Sequence, residues 1–328
     1  MSFPTPYPVQ VHSYLPTPST AIHQPPSRPV QTYEHLPASP SPSQQTPVPQ
    51  NAVVFIGGLG DGPHTIPYVR TLAQHLTSSN PSYSVFEARL SSAFSAFGYS
   101  SLAQDAREIA DLVRYLRKGL GRKRVVLMGH STGCQDCLEY GSKYLQLGKP
   151  GLGAEEEGEA RVDGLVLQGP VSDREAIGMT EDQGEVRACL EIAQRMVAEG
   201  KGAEVMRREE MPAGWRGSPV TAYRWCSLAG VGGDDDYFSS DLPDQKVADI
   251  WGKLEQPVLI LPSEKDEWVS KEIDVFGLVN RWKSFCRPGI ASELSGLIPA
   301  ANHRVDDAAA QKWLAERVAG FLAEIEKR

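Results

Sequence analysis

Three residues could do nucleophilic chemistry if the fold brings them together: Ser131, Asp266 and His303. Ser131 stands in Gly129-His130-Ser131-Thr132-Gly133, a G-x-S-x-G pattern directly after the apolar run Val125-Val126-Leu127-Met128. A strand running into such a turn, followed by a helix, exposes a serine hydroxyl at the edge of a sheet. His303 could take the Ser131 proton and return it to a leaving group, because an unperturbed imidazole titrates near pH ~6.5. A carboxylate is then needed to hold the imidazole tautomer and to stabilise the imidazolium. Asp266 follows the apolar run 257–261 and is the chosen acid; Asp173, just beyond the run 162–167, remains its rival. His303 comes between the segment 296–299 and a C-terminal amphipathic stretch. The resulting order Ser, Asp, His along the chain is that of the α/β-hydrolase fold.

The elements that must position these groups can be read from apolar pattern and glycine. Residues 52–56 form a buried-type strand, and Gly57-Gly58-Leu59-Gly60-Asp61-Gly62 follows at once. The loop lacks both the dinucleotide fingerprint and the Lys-Ser/Thr ending of a P-loop. In a hydrolase the same position supplies a backbone N–H to the developing oxyanion. Leu59 and Thr132 are therefore the expected oxyanion donors. Stretches 67–76 and 102–120 have helical periodicity, and 83–90 reads as a strand. The alternation predicts α/β architecture: a doubly wound, mostly parallel sheet. From about 176 to 246 the rhythm breaks into helices at 186–199 and 203–210 and a turn-rich, aromatic segment, which reads as a cap insertion. The hydroxyl-rich and aromatic loop 91–101 reads equally as a substrate-facing wall above the serine and as an ordinary loop. Gly58, His130, Phe94 and Tyr237 are the expected substrate neighbours.

Residues 1–50 hold more than half of the 25 prolines and few apolar runs. Such composition favours a largely disordered segment, with possible edge strands at 9–14 and 31–34. The globular domain then spans 51–328. The formal net charge of -8 gives no basic footprint for nucleic acid. No apolar run is long enough to span a bilayer, and no secretory leader is legible, so a cytoplasmic location is expected. Five cysteines without framework spacing fit free thiols. Cys134 and Cys137 form a C-x-x-C with no second ligand pair, and 234–236 lacks the spacing of an EF-hand. Neither a metal nor another cofactor is expected.

Four strings, F-I-G-G-L-G-D-G, G-H-S-T-G-C-Q-D, Q-G-P-V-S-D-R-E-A and D-D-D-Y-F-S-S-D-L, together resemble a family of largely fungal and plant α/β-hydrolases catalogued as a domain of unknown function. The resemblance runs from about Ala52 to the C-terminus. It implies a serine hydrolase with Ser131, Asp266 and His303 as triad and, in the fungal branch, intracellular hydrolysis of ester-linked hydroxamate siderophores. The expected partner is thus a small-molecule ester. Other acyl substrates, as for a lipase, thioesterase or peptidase, and a non-catalytic binding protein on the same scaffold are the competing readings.

Overall fold

A computed structural model describes residues 7–16, 29–36, 48–146 and 159–328. The expected mobile stretches elsewhere in 1–47 and most of the acidic connection at 153–159 lie outside the described residues. Seven strands form one sheet in the order β1-β2-β4-β3-β5-β6-β7. They are β1 (Val9–Tyr14), β2 (Val30–His35), β3 (Asn51–Ile56), β4 (Tyr83–Ala88), β5 (Arg124–His130), β6 (Gly164–Gln168) and β7 (Val258–Leu261). The proline-rich segment thus contributes a hairpin: β1 pairs antiparallel with β2, and β2 antiparallel with β4. Every other pairing is parallel.

The central strands read as continuous apolar runs because helices cover both faces. Val54, Ile56 and Leu127 pack into one core layer, while Val53, Phe55, Val126 and Met128 pack into the other. Helices α1 (Tyr68–Ser79) and α9 (Ala308–Glu326) bury their apolar faces in that second layer. Helices α2 (Leu102–Arg114) and α3 (Gly133–Ser142) cover the first. The Ser101 hydroxyl caps α2 by accepting from Gln104 N–H, and Asp307 caps α9 by accepting from Ala309 and Ala310. The strand order reverses at β3, whose neighbours are β4 on one side and β5 on the other. That switch opens a crevice at the C-terminal strand ends, where open α/β sheets bind ligands.

Between β6 and β7 lie α4 (Asp173–Thr180), α5 (Gln183–Ala198), α6 (Ala222–Ala229) and α7 (Asp244–Trp251). Ile177, Cys189, Met206, Trp225 and Leu228 form a separate apolar cluster there, and Leu59 and Phe97 pack against it. The expected helix at 203–210 is reduced to a short 3-10 turn at Arg208–Glu210, while Val205 bridges Thr221. A last helix before α9, α8 (Val275–Phe285), follows β7. The segment 296–299 makes one isolated bridge, Ile298 to Ser263, instead of a full strand. Pro299 ends it, having no N–H to extend the pairing.

Candidate active site

Ser131 occupies the turn between β5 and α3 with φ 54°, a left-handed conformation in a residue with a side chain. Such a position costs on the order of 1–3 kcal/mol and persists only where its surroundings enforce it. Here they do. A Cβ on Gly129 would lie 2.2 Å from the Gly133 carbonyl oxygen, and one on Gly133 would lie 2.4 Å from that of Ile56. The Ser131 N–H donates to the Gln168 carbonyl at 3.0 Å, tying the turn to the end of β6.

His303 is 5% exposed and lies beside the same strand end. Its Nδ1 is 2.7 Å from Asp266 Oδ2, so Nε2 is the nitrogen left for proton transfer. The backbone N–H of His303 donates to Glu267 Oε2 at 2.9 Å. Asp266 Oδ1 accepts from Trp268 N–H at 3.0 Å, and Lys265 N–H donates to the Ala301 carbonyl at 2.8 Å. The two loops are thereby fastened along their length. Asp173, the rival acid, lies elsewhere: its Oδ2 accepts from Gln135 Nε2 at 2.8 Å, and burial holds its carboxyl well above the usual range.

Gln168 links the pieces. Its Nε2 donates to the His303 carbonyl at 3.2 Å and to Ser263 Oγ at 3.3 Å. Its Oε1 accepts from Tyr68 at 2.9 Å and meets His130 Nδ1 at 2.5 Å. His130 therefore lies under the site at 1% exposure, not on a substrate wall. Burial, and then the charge of nearby His303, push its pKa down to about 4.

The loop after β3 comes close to the elbow: a Cβ on Gly58 would stand 2.7 Å from Ser131 Cβ. Asp61 shapes this loop. Its N–H donates to the Gly58 carbonyl at 3.0 Å, and its Oδ2 accepts from Gly58 N–H at 3.1 Å. Its Oδ1 accepts from Thr65 Oγ1 at 2.8 Å and is 3.5 Å from Arg304, the neighbour of His303. Among the described residues, the N–H groups of Leu59 and Thr132 have no protein acceptor. A small cleft lies against this loop, lined by Leu59, Thr132, Phe97 and Asp136 among others. Arg224 crosses from the cap to donate to the Phe97 carbonyl at 3.0 Å and to Asp235 at 2.5 Å. Burial raises the pKa of Asp105, at the same cleft, to about 7.

Phe94 is 53% exposed with φ 58°, its N–H donating to the Asp61 carbonyl at 2.8 Å and its ring over Gly62. Tyr237 is not brought to this group. It is 2% exposed, with its hydroxyl on Glu139 and its ring 4.9 Å from Lys143 Nζ. An aromatic in the cap sequence reads equally as wall or as core, and here the core takes it. Cys134 and Cys137 are buried thiols on α3, with burial raising both pKa values. The three aspartates at 234–236 are each engaged internally, with Tyr223, Arg224 and the Gly232 N–H respectively. Asp61, Gln168, Glu267 and Arg304 were not legible as site residues. Only the placement of Asp61 three residues after Gly58 hinted at its turn.

The family described as "Protein of unknown function (DUF1749)" matches residues 11–323. The chain belongs to that family. The UPF0613 protein PB24D3.06c of Schizosaccharomyces pombe is 32% identical over 289 residues, 81% of this chain and 85% of that protein. Fusarinine C esterase sidJ of Aspergillus fumigatus is 30% identical over 325 residues, covering 84% and 90%. Among solved structures, siderophore hydrolase EstB from Aspergillus fumigatus superposes with a TM-score of 0.72 at 27% identity, covering 97% of this chain and 99% of that one. This DUF1749 member is an α/β-hydrolase. Among its described residues no helix is long and apolar enough to cross a membrane.

Proposed function

We propose that the protein is a serine esterase that cleaves ester-linked hydroxamate siderophores through an acyl-enzyme. The observation that carries the catalytic part of this reading is the 2.7 Å contact of His303 Nδ1 with Asp266 Oδ2, with His303 and the left-handed Ser131 both held by Gln168. Ser131 Oγ attacks the ester carbonyl while His303 Nε2 takes its proton. The oxyanion is received by the N–H groups of Leu59 and Thr132, which are fixed in place before reaction and so need no reorganisation. Collapse expels the alcohol, protonated by His303, and a water then releases the acid by the same steps in reverse order. Asp266 holds the tautomer throughout.

The substrate class is supported by relatives named as a fusarinine C esterase and a siderophore hydrolase. Cleavage inside the cell would free iron from the hydrolysed chelate, and five free cysteines suit the reducing cytoplasm. Labelling with a fluorophosphonate, compared between the parent and Ser131→Ala, tests the mechanism. Iron-free and iron-loaded hydroxamate triesters, with products followed by mass spectrometry, test the substrate. Labelling lost in Ser131→Ala, together with serine-dependent ester cleavage, is expected. Labelling without cleavage would reject the siderophore, and a folded parent that resists labelling would reject the hydrolase mechanism.

A further inference from the structure

The proposed reaction leaves a second group of ligand atoms unused. His35 closes β2, Glu87 lies on β4, and His64 stands in the loop after β3, six residues beyond Gly58. The ligand atoms of these three side chains lie within 4.8 Å of one another. His35 Nε2 and His64 Nδ1 are 2.5 and 2.9 Å from the same oxygen, Glu87 Oε1. The other carboxylate oxygen accepts the His64 backbone N–H at 2.6 Å, which fixes the orientation of the group. The side chains of His35 and Glu87 are 3% and 2% exposed, while that of His64 is 41% exposed. His64 holds this place with φ 69°, a conformation uncommon in residues with side chains.

We propose that His35, His64 and Glu87 bind a divalent transition metal, zinc by donor chemistry, and so fasten the N-terminal hairpin to the loop that carries Leu59. Two imidazoles and one carboxylate are a donor set that zinc takes at about 2.0–2.2 Å, with a fourth position open to water. Ligand atoms around tetrahedral zinc stand roughly 3.3 Å apart. The two imidazole nitrogens would each have to draw back from Glu87 Oε1 by less than about an ångström, and all three ligand atoms already lie within 4.8 Å of one another. The exposed side of His64 gives the fourth position access to solvent. Charge points the same way. Among the described residues the partners of the Glu87 side chain are the two imidazoles and the His64 N–H, with no Lys or Arg, so a metal on these atoms would give the buried carboxylate a fixed cation. Both imidazoles would then serve as neutral ligands. The three ligands come from three separate chain segments, so the ion would act as a cross-link. The inference is independent of the proposed substrate and mechanism.

The test uses the full chain, stripped with a chelator and titrated with zinc in a calorimeter and with cobalt in a spectrophotometer. One equivalent of zinc, binding in the micromolar range or tighter, and an intense cobalt d–d band are expected. His64→Asn removes an imidazole while keeping a residue type that tolerates left-handed backbone. It should weaken zinc binding by more than the roughly tenfold to hundredfold that changes outside the ligand shell cost. His75→Asn, on α1 and outside the cluster, should bind as the parent does. Zinc should raise the thermal midpoint of the parent and leave that of His64→Asn unchanged. X-ray absorption on the zinc-loaded parent reads the ligands directly, and two imidazoles are expected. A folded parent that binds no zinc, equal affinity in His64→Asn, or a shell without imidazole would overturn the proposal.

Discussion

Gln168 holds His303 from the neighbouring strand end: its Nε2 donates to the His303 carbonyl at 3.2 Å, while its own backbone carbonyl accepts the N–H of Ser131 at 3.0 Å. One buried residue thus sets the positions of both proposed proton-transfer partners. Gln168→Ala would strip partners from Tyr68, His130 and Ser263 as well. Each buried group left unsatisfied costs ~1–3 kcal/mol. We expect a lowered urea midpoint and a fall in kcat that exceeds any rise in KM. Unchanged kcat in a destabilised variant would show that Gln168 supports the fold alone.

Asp266→Asn and Asp173→Asn separate the two candidate acids. The first removes the carboxylate on His303 Nδ1 and permits the wrong tautomer, so ester turnover should fall by up to ~10⁴-fold. The second should leave turnover within a few fold, because Asp173 bonds to Gln135 and not to His303. Rates measured on a nitrophenyl ester decide the point. The reverse ranking would reject Asp266.

Strain at the elbow can be read from stability. Ser131→Gly accepts φ 54° without penalty, whereas Ser131→Ala keeps it. The glycine variant should be the more stable by about 1 kcal/mol in urea unfolding, and both should lack turnover. Equal stability would mean that the turn is relaxed.

Two glycines of the loop after β3 should fail for different reasons. Gly58→Ala places a methyl 2.7 Å from Ser131 Cβ and should cut kcat at least tenfold with the chain still folded. Gly60→Ala meets no atom within 4 Å but must adopt φ 79°. Its cost should appear as ~1 kcal/mol of stability. Differential scanning fluorimetry and initial rates separate the two cases, and identical profiles would contradict the assignment.

Acid should destabilise the protein through His130. Burial, then the charge of His303, lowers its folded pKa to about 4, below the ordinary value. The unfolded state therefore binds the proton first as pH falls. The contribution is complete above pH ~6.5 and is lost on acidification towards about 4, up to ~3 kcal/mol. Urea unfolding of His130→Gln should show a shallower acid slope over that window. Parallel slopes would place the acid sensitivity in other groups.

Much of the architecture lies in local pattern. The apolar run before Ser131 and the glycines at 129 and 133 are defined by neighbours in sequence, because a strand-turn-helix junction constrains only adjacent residues; the serine–aspartate–histidine order needs only the order of residues along the chain. The fold class was legible for the same reason, since helical and strand periodicities alternate along the chain. Contacts between distant segments were not legible. Nothing near Gln168 reveals that its amide spans Tyr68, His130, Ser263 and His303, and nothing near Arg304 reveals that it approaches Asp61. Tyr237 shows the same limit from the other side: its type suits a substrate wall, yet Glu139, 98 residues away, takes its hydroxyl into the core. The hairpin at 9–14 and 30–35 was legible as possible strands. Its place against β4, and with it the meeting of His35, His64 and Glu87, depends on which sheet edge is free. Sequence by itself determined the groups and the order in which they occur. Tertiary structure alone decided which of them meet, because hydrogen bonding and burial act between atoms close in space, whatever their separation along the chain.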